Sequence, residues 1–302
     1  LEIVVMNQHQ RDKVFCDLLA TGASALSAAL LTVNSLIATP VRAGILRHDV
    51  PRDEFVALGA QPAFRSVVAI TRARSGQSTA SVIGSAVLVA PRWVLTAAHV
   101  VDALDSASYR VTLDGDTVLI DSLVRHPQYH ATKDSLYVDL ALLHLVRALP
   151  REAVASLSTR RVTSGTAIVS VGYGRMAAAN DPSATNSGSR HAFQNVIDTL
   201  GAGNAPRSFI GSDLDHPMDS TMSTTGSPQA MSLEGNINGG DSGGGLFVSD
   251  AGRWRLAGIA AMSSYDRERL EAFSRFGFYG SLSFWTRLDN QLSWIRSIAR
   301  AR

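Results

Sequence analysis

Cysteine is nearly missing from this chain: Cys16 is the only one among 302 residues. A domain that begins downstream of it has no thiol and no disulfide, and roughly 250 residues can bury enough surface to stand without staples. Charge of one sign is also scarce. A formal net charge of +2, with no block of Lys or Arg, gives no electrostatic footprint for nucleic acid or for an anionic membrane. Long hydrophobic runs are missing as well. The most apolar stretch, around Leu26 to Ile37, is interrupted by Thr32, Asn34, Ser35 and Thr39. It therefore falls short of the roughly 20 apolar residues that a membrane span needs.

What that stretch does have is order. Arg11 and Lys13 follow Met6, the Leu- and Ala-rich segment comes next, and Pro40 and Val41-Arg42-Ala43 close it. A positive start, an apolar middle and a small-residue end make a signal peptide, with cleavage expected after Ala43. A membrane anchor is the competing reading. Residues 1–43 are thus assigned to leader and upstream sequence and 44–302 to one domain, secreted or periplasmic and without a stable membrane anchor.

The rest of the chain, in a sequence 45% hydrophobic and 18% charged, can bury a full core. Short aliphatic and β-branched runs separated by turn residues are expected as strands at Ser66–Thr71, Ser81–Val89, Trp93–Thr96, Tyr109–Leu113, Thr117–Val124, Leu136–Val146, Ala167–Gly172, Gly245–Val248 and Trp254–Ala261. This spacing predicts an all-β sandwich or barrel. Residues 175–238, rich in Asn, Ser, Thr, Gly, Asp and Pro, read as long surface loops with short embedded strands. Leu288, Leu292, Trp294, Ile295 and Ile298 recur at helical spacing, so a terminal helix packed on the barrel is expected.

Three segments carry chemistry. In Val94-Leu95-Thr96-Ala97-Ala98-His99 an apolar strand ends on a histidine among small residues. In Val138-Asp139-Leu140-Ala141-Leu142-Leu143 a carboxylate is enclosed by aliphatics, where an ionised group needs a partner such as an imidazole. In Gly239-Gly240-Asp241-Ser242-Gly243-Gly244-Gly245 glycines let the backbone turn sharply and aim N–H groups at a developing oxyanion. The same serine motif occurs in α/β-hydrolases, but there the histidine follows the serine, whereas the last histidine here is His216. The order His99, Asp139, Ser242 remains.

These segments, together with His126-Pro127-Gln128-Tyr129, Gly172-Tyr173-Gly174 and Phe284-Trp285-Thr286-Arg287, resemble those of trypsin-like serine proteases, peptidase family S1, from about Ser66 to the C-terminus. The lack of disulfides resembles bacterial secreted members. The resemblance implies two six-stranded antiparallel β-barrels with a C-terminal helix and an active site in the cleft between the barrels. It implies Ser242 as nucleophile, His99 as general base, Asp139 as its orienting acid, and the N–H groups of Gly240 and Ser242 as the oxyanion hole, with no metal or cofactor. Protein or peptide substrates and a monomer are expected.

The resemblance also implies that Asn236, six residues before Ser242, lies at the base of the specificity pocket, where an acid would select Lys or Arg. Ser263, in Ala261-Met262-Ser263, would narrow the pocket entrance, which points to a small or medium apolar P1 residue. Glu234 could reach the pocket if the loop is shifted. In many relatives a new N-terminus pairs with the acid before the nucleophile, here Asp241, and leader removal ahead of Gly44-Ile45-Leu46 would supply one; simple hydrogen bonding of Asp241 to nearby backbone is the alternative. Asp213, Asp215 and Asp219 near His216 are spaced as oxygen ligands for calcium could be, without a known calcium-loop pattern. A protease-like binding protein without activity, and an esterase using the same three residues, are the rival functions.

Overall fold

The computed structural model describes residues 44–72, 80–101, 109–129, 138–181, 188–201, 208–264 and 278–299; the expected leader lies outside them. Strands dominate, as the short apolar runs require. β1 (Gly44–Leu46) comes first, and β2 (Val67–Arg72), β3 (Ser81–Ala90), β4 (Trp93–Thr96), β5 (Tyr109–Leu113), β6 (Asp116–Arg125) and β7 (Ala141–Leu145) then close into a barrel in the order β2-β3-β4-β7-β6-β5. In β5 every second residue points inward, so Tyr109, Val111 and Leu113 are buried. Asp114 and Gly115, both at positive φ (49° and 87°), turn β5 into β6 with the two-residue hairpin that an Asp-Gly pair favours. Val68, Leu88, Val94 and Leu143 fill the interior.

The second unit is a curled seven-stranded sheet. Its strands are β8 (Ala167–Gly172), β10 (His191–Val196), β11 (Thr199–Leu200), β12 (Phe209–Asp213), β14 (Gly245–Asp250), β15 (Arg253–Ser264) and β16 (Leu282–Arg287), in the order β10-β8-β14-β15-β16-β12-β11. Six of these correspond to the expected second barrel, and β11 is a two-residue addition. The meeting of β10 with β12 is made by side chains: Asn195 Nδ2 donates to Asp213 O (2.7 Å) and Ser212 Oγ to Val196 O (2.5 Å). Trp285 is fully buried at the centre, its Nε1 donating to Ser170 Oγ at 3.0 Å. A small third sheet sets β1 between β9 (Met176–Ala178) and β13 (Gly235–Asn236), burying Ile45 and Leu46.

Among the described residues of 175–238, short strands are embedded in loops as expected, but the longer two are not at the surface. β10 and β12 are core strands, the latter buried at every position. Their apolar pattern is broken by His191, Asn195, Ser212 and Asp213, all buried. The expected strand Leu136–Val146 likewise begins only at Ala141, which leaves Asp139 in an irregular segment.

Two α-helices are described. Arg52–Gly59, not anticipated, starts after Pro51 with Asp53 and Glu54 in its first turn, where acids favour the helix dipole. It buries Phe55 and Gly59, and a Cβ on Gly59 would lie 2.6 Å from the His191 main chain, so the helix rests directly on β10. The expected terminal helix is Leu292–Ala299. Ile295 is buried beside Leu288, and Trp294 meets the His126 ring edge-on at 4.7 Å. No described helix is long and apolar enough to cross a membrane.

Candidate active site

β4 ends at Thr96, and a single 3-10 turn, Ala98–Val101, lifts His99 out of the barrel wall with its side chain 29% exposed. Buried Ala97 and Ala98 leave the room this turn needs. Asp139 lies beneath, its side chain only 2% exposed, and both carboxylate oxygens serve His99. Oδ1 accepts the His99 backbone N–H at 3.0 Å and Oδ2 lies 2.6 Å from ring Nδ1. The irregular segment is what allows this double contact, because an extended strand would alternate its side chains across the sheet. A carboxylate on Nδ1 places that nitrogen's proton there and makes Nε2 the basic nitrogen of the ring.

Ser242 reaches this corner from the second unit. Its carbonyl accepts from Ser85 N on β3 at 2.8 Å, and Thr96 Oγ1, three residues before His99, donates to Ser85 O at 2.7 Å. A Cβ on Gly84 would lie 2.5 Å from Val100, the neighbour of His99, and 3.3 Å from Ser242 O, so the two segments flank one point. Gly243, at φ 86°, passes so close that a Cβ there would stand 2.0 Å from Ser85 O; only glycine fits.

Around the serine the backbone donors are sorted. Asp241 N bonds Asn238 O (2.8 Å), Gly243 N bonds Ala260 O (2.8 Å) and Gly244 N bonds Asp241 O (2.7 Å). The N–H groups of Gly240 and Ser242 meet no protein acceptor among the described residues. Two spare donors on alternate residues beside a hydroxyl suit an oxyanion. Ser85 Oγ holds Gly240 O at 2.9 Å and fixes that peptide's orientation.

The Asp241 carboxylate is buried and accepts from Gly174 N (2.8 Å) and Asn238 N (3.1 Å), the backbone bonding weighed from the sequence as the alternative to an amino group. Gly44 stands opposite Met176 on β9, two residues beyond Gly174. His191 also approaches Asp241, a contact that no local sequence signal announced, because it joins residues 50 apart across a sheet.

The two specificity candidates are placed differently. Ser263 is half-buried on β15 opposite Ser283. Asn236 is fully buried, its Nδ2 donating to Ser281 O (2.9 Å) and Ser281 Oγ (2.7 Å) while Oδ1 has no partner. Glu234 accepts from Met231 N at 2.5 Å, and its other oxygen is buried without a partner. Burial pushes its pKa up to about 9, with the charges of Asp215 and Asp213 adding to the rise. Burial likewise raises Asp198 and Asp215 to about 7. The sequence reading missed this carboxyl group cluster, which the fold assembles from three separate segments.

The acids weighed for calcium do not act together. Asp213 accepts from Thr224 N, Thr225 N and Ser223 Oγ, whereas Asp219 caps the turn at Thr221. Among the described residues no three His, Asp or Glu side chains converge as a metal site.

The segments that carry Ser242, His99 and Asp139 thus meet where the two β units join. The Trypsin family model matches residues 60–283, most of the chain, and the chain belongs to the trypsin family of serine proteases, which act on protein or peptide substrates. Among curated proteins none matches the chain.

Proposed function

We propose that this protein is a secreted serine endopeptidase that works through an acyl-enzyme on Ser242. The observation that carries the proposal is the buried Asp139 carboxylate presented to Nδ1 of a partly exposed His99 ring. In that arrangement Nε2 takes the Ser242 proton as Oγ attacks the scissile carbonyl, and Asp139 stabilises the imidazolium that results. The N–H groups of Gly240 and Ser242 receive the negative charge on the carbonyl oxygen. His99 then returns its proton to the leaving amine, which departs, and water repeats the sequence on the acyl ester.

Selectivity follows from charge. Asn236 offers no carboxylate, and Glu234, with its pKa near 9, is neutral at pH 7 and turned towards Met231 N. With Ser263 at the pocket entrance, a small or medium apolar P1 residue suits the site better than Lys or Arg. Gly44–Leu46 is already a strand of the fold, which supports a domain starting at Gly44 after leader removal behind Ala43; N-terminal sequencing of the secreted product checks this.

A peptidyl phosphonate tests the chemistry. It is expected to label the protein once, at Ser242, and to leave Ser242→Ala untouched; an unlabelled wild type refutes the assignment. Cleavage of a peptide library then reads the P1 preference, and cleavage confined to sites after Lys or Arg overturns the apolar pocket.

A further inference from the structure

Asp241 lies between Gly240 and Ser242, whose N–H groups are the proposed oxyanion donors, and it needs a counter-charge. A carboxylate 3% exposed and held only by two neutral N–H donors would remain largely uncompensated. His191 supplies what is missing. It is 1% exposed, and its Nε2 stands 3.3 Å from Asp241 Oδ1.

The fold builds this contact deliberately. His191 opens β10 and is the register partner of Gly172 on β8. Gly172 has no side chain, and a Cβ there would strike Asp241 Oδ1 at 2.4 Å; a Cβ on Gly174 would strike its Cγ at 2.5 Å. The two glycines thus form a slot that admits one carboxylate, with an imidazole at its side. The helix Arg52–Gly59 rests its Gly59 on the His191 main chain. Asp53 and Glu54 of that helix lie in its first turn, at the opposite end. Arg190, next in the chain, is committed elsewhere: its Nε donates to Gly59 O at 2.8 Å and its Nη1 reaches Val67 O (3.3 Å) and Asp114 (3.7 Å). Tyr173, from the segment after β8, is pushed towards its neutral form by burial. Asp241 is therefore the only anion facing the ring among the described groups. Burial works against a charged imidazole, but the nearby Asp241 charge outweighs it, so the His191 pKa lies above its ordinary value.

We infer that His191 is a positioning residue, a buried imidazolium that anchors Asp241 and through it the oxyanion donors of Gly240 and Ser242. The inference rests on the peptidase reading of that loop. It makes the catalytic loop's counter-charge internal to the domain, so that a free N-terminus is not required for activity.

The test uses the full chain, first labelled with the peptidyl phosphonate: failure to label Ser242 refutes the peptidase reading alone. Nitrogen-15 NMR of histidine-labelled wild type at pH 7.5 then reads the ring directly. One solvent-protected imidazole with both nitrogens protonated is expected for His191, and a neutral ring overturns the inference whatever the activity. His191→Gln, which keeps the bulk and removes the charge, is expected to lower kcat at least about tenfold with KM within about threefold, the pattern of a weakened oxyanion hole. Wild-type kcat in that variant overturns the role. If the variant does not fold, the wild type decides: kcat should fall at high pH with the same midpoint as the NMR titration of His191, and a kcat that stays constant through that midpoint overturns it.

Discussion

Glu234→Gln should stabilise this protein, and the more so the higher the pH. In the fold the Glu234 carboxyl keeps its proton up to about pH 9; in the unfolded chain it releases it near its ordinary 4.5. Between those values the native state binds the extra proton, so stability falls as pH rises, by about 1.4 kcal/mol per pH unit from this one group. Gln has no proton to lose. Its carbonyl can still accept Met231 N, and its amide NH₂ takes the place of the oxygen that has no partner, near the Asp213 and Asp215 charges. At pH 4.5 the two proteins should differ little. At pH 8 the variant should gain roughly 4–5 kcal/mol. Urea unfolding followed by circular dichroism at five pH values from 5 to 9 measures this, with Ser242→Ala in both backgrounds to prevent self-digestion. Stability curves that run parallel across the range would refute the claim that Glu234 is buried with its proton.

Asp139→Asn should leave the melting temperature nearly unchanged, because Oδ1 can still accept the His99 N–H, yet lower kcat about 10³- to 10⁴-fold by stabilising the wrong tautomer; peptide hydrolysis within tenfold of wild type would contradict the assignment. Gly243→Ala must displace Ser85 O from 2.0 Å and adopt φ 86°, so a loss of about 3 kcal/mol and of phosphonate labelling is expected, and an unchanged labelling rate would show that the loop tolerates the shift. Ile295→Ala on the terminal helix should cost about 2–4 kcal/mol by leaving a cavity beside Leu288, checked by thermal melting; a cost below 1 kcal/mol would mean that the helix is not part of the cooperative unit.

The strands Trp93–Thr96, Tyr109–Leu113 and Ala167–Gly172 have the bounds expected from their apolar runs, because each buries mainly apolar side chains. His99, Asp139 and Ser242 stand out as candidates for a different reason: a small-residue turn, an aliphatic enclosure and a glycine frame are local features, written within a few residues of each group. The bounds and the burial of β10 and β12 were not legible. Asn195, Ser212 and Asp213 are buried polar groups whose partners lie elsewhere in the chain, so no window along the sequence contains the reason for their burial. The carboxyl cluster and the His191 contact have the same origin. The helix Arg52–Gly59 is short and weakly amphipathic, and what holds it is Gly59 against a distant strand.

The seam between β10 and β12 sets the two halves of the molecule apart in how they breathe. A barrel closed by a continuous ladder opens only by losing a whole row of main-chain bonds, whereas the seam between β10 and β12 is fastened by the side chains of Asn195 and Ser212, with main-chain bonds only beyond the end of β10, from Asp198 N to Gly211 O and along the two-residue β11. Amide protons along that seam should exchange with deuterium well before those of the first barrel. The half that carries Ser242 would thus be the more pliable one, able to yield to an incoming chain while the half that carries His99 stays rigid.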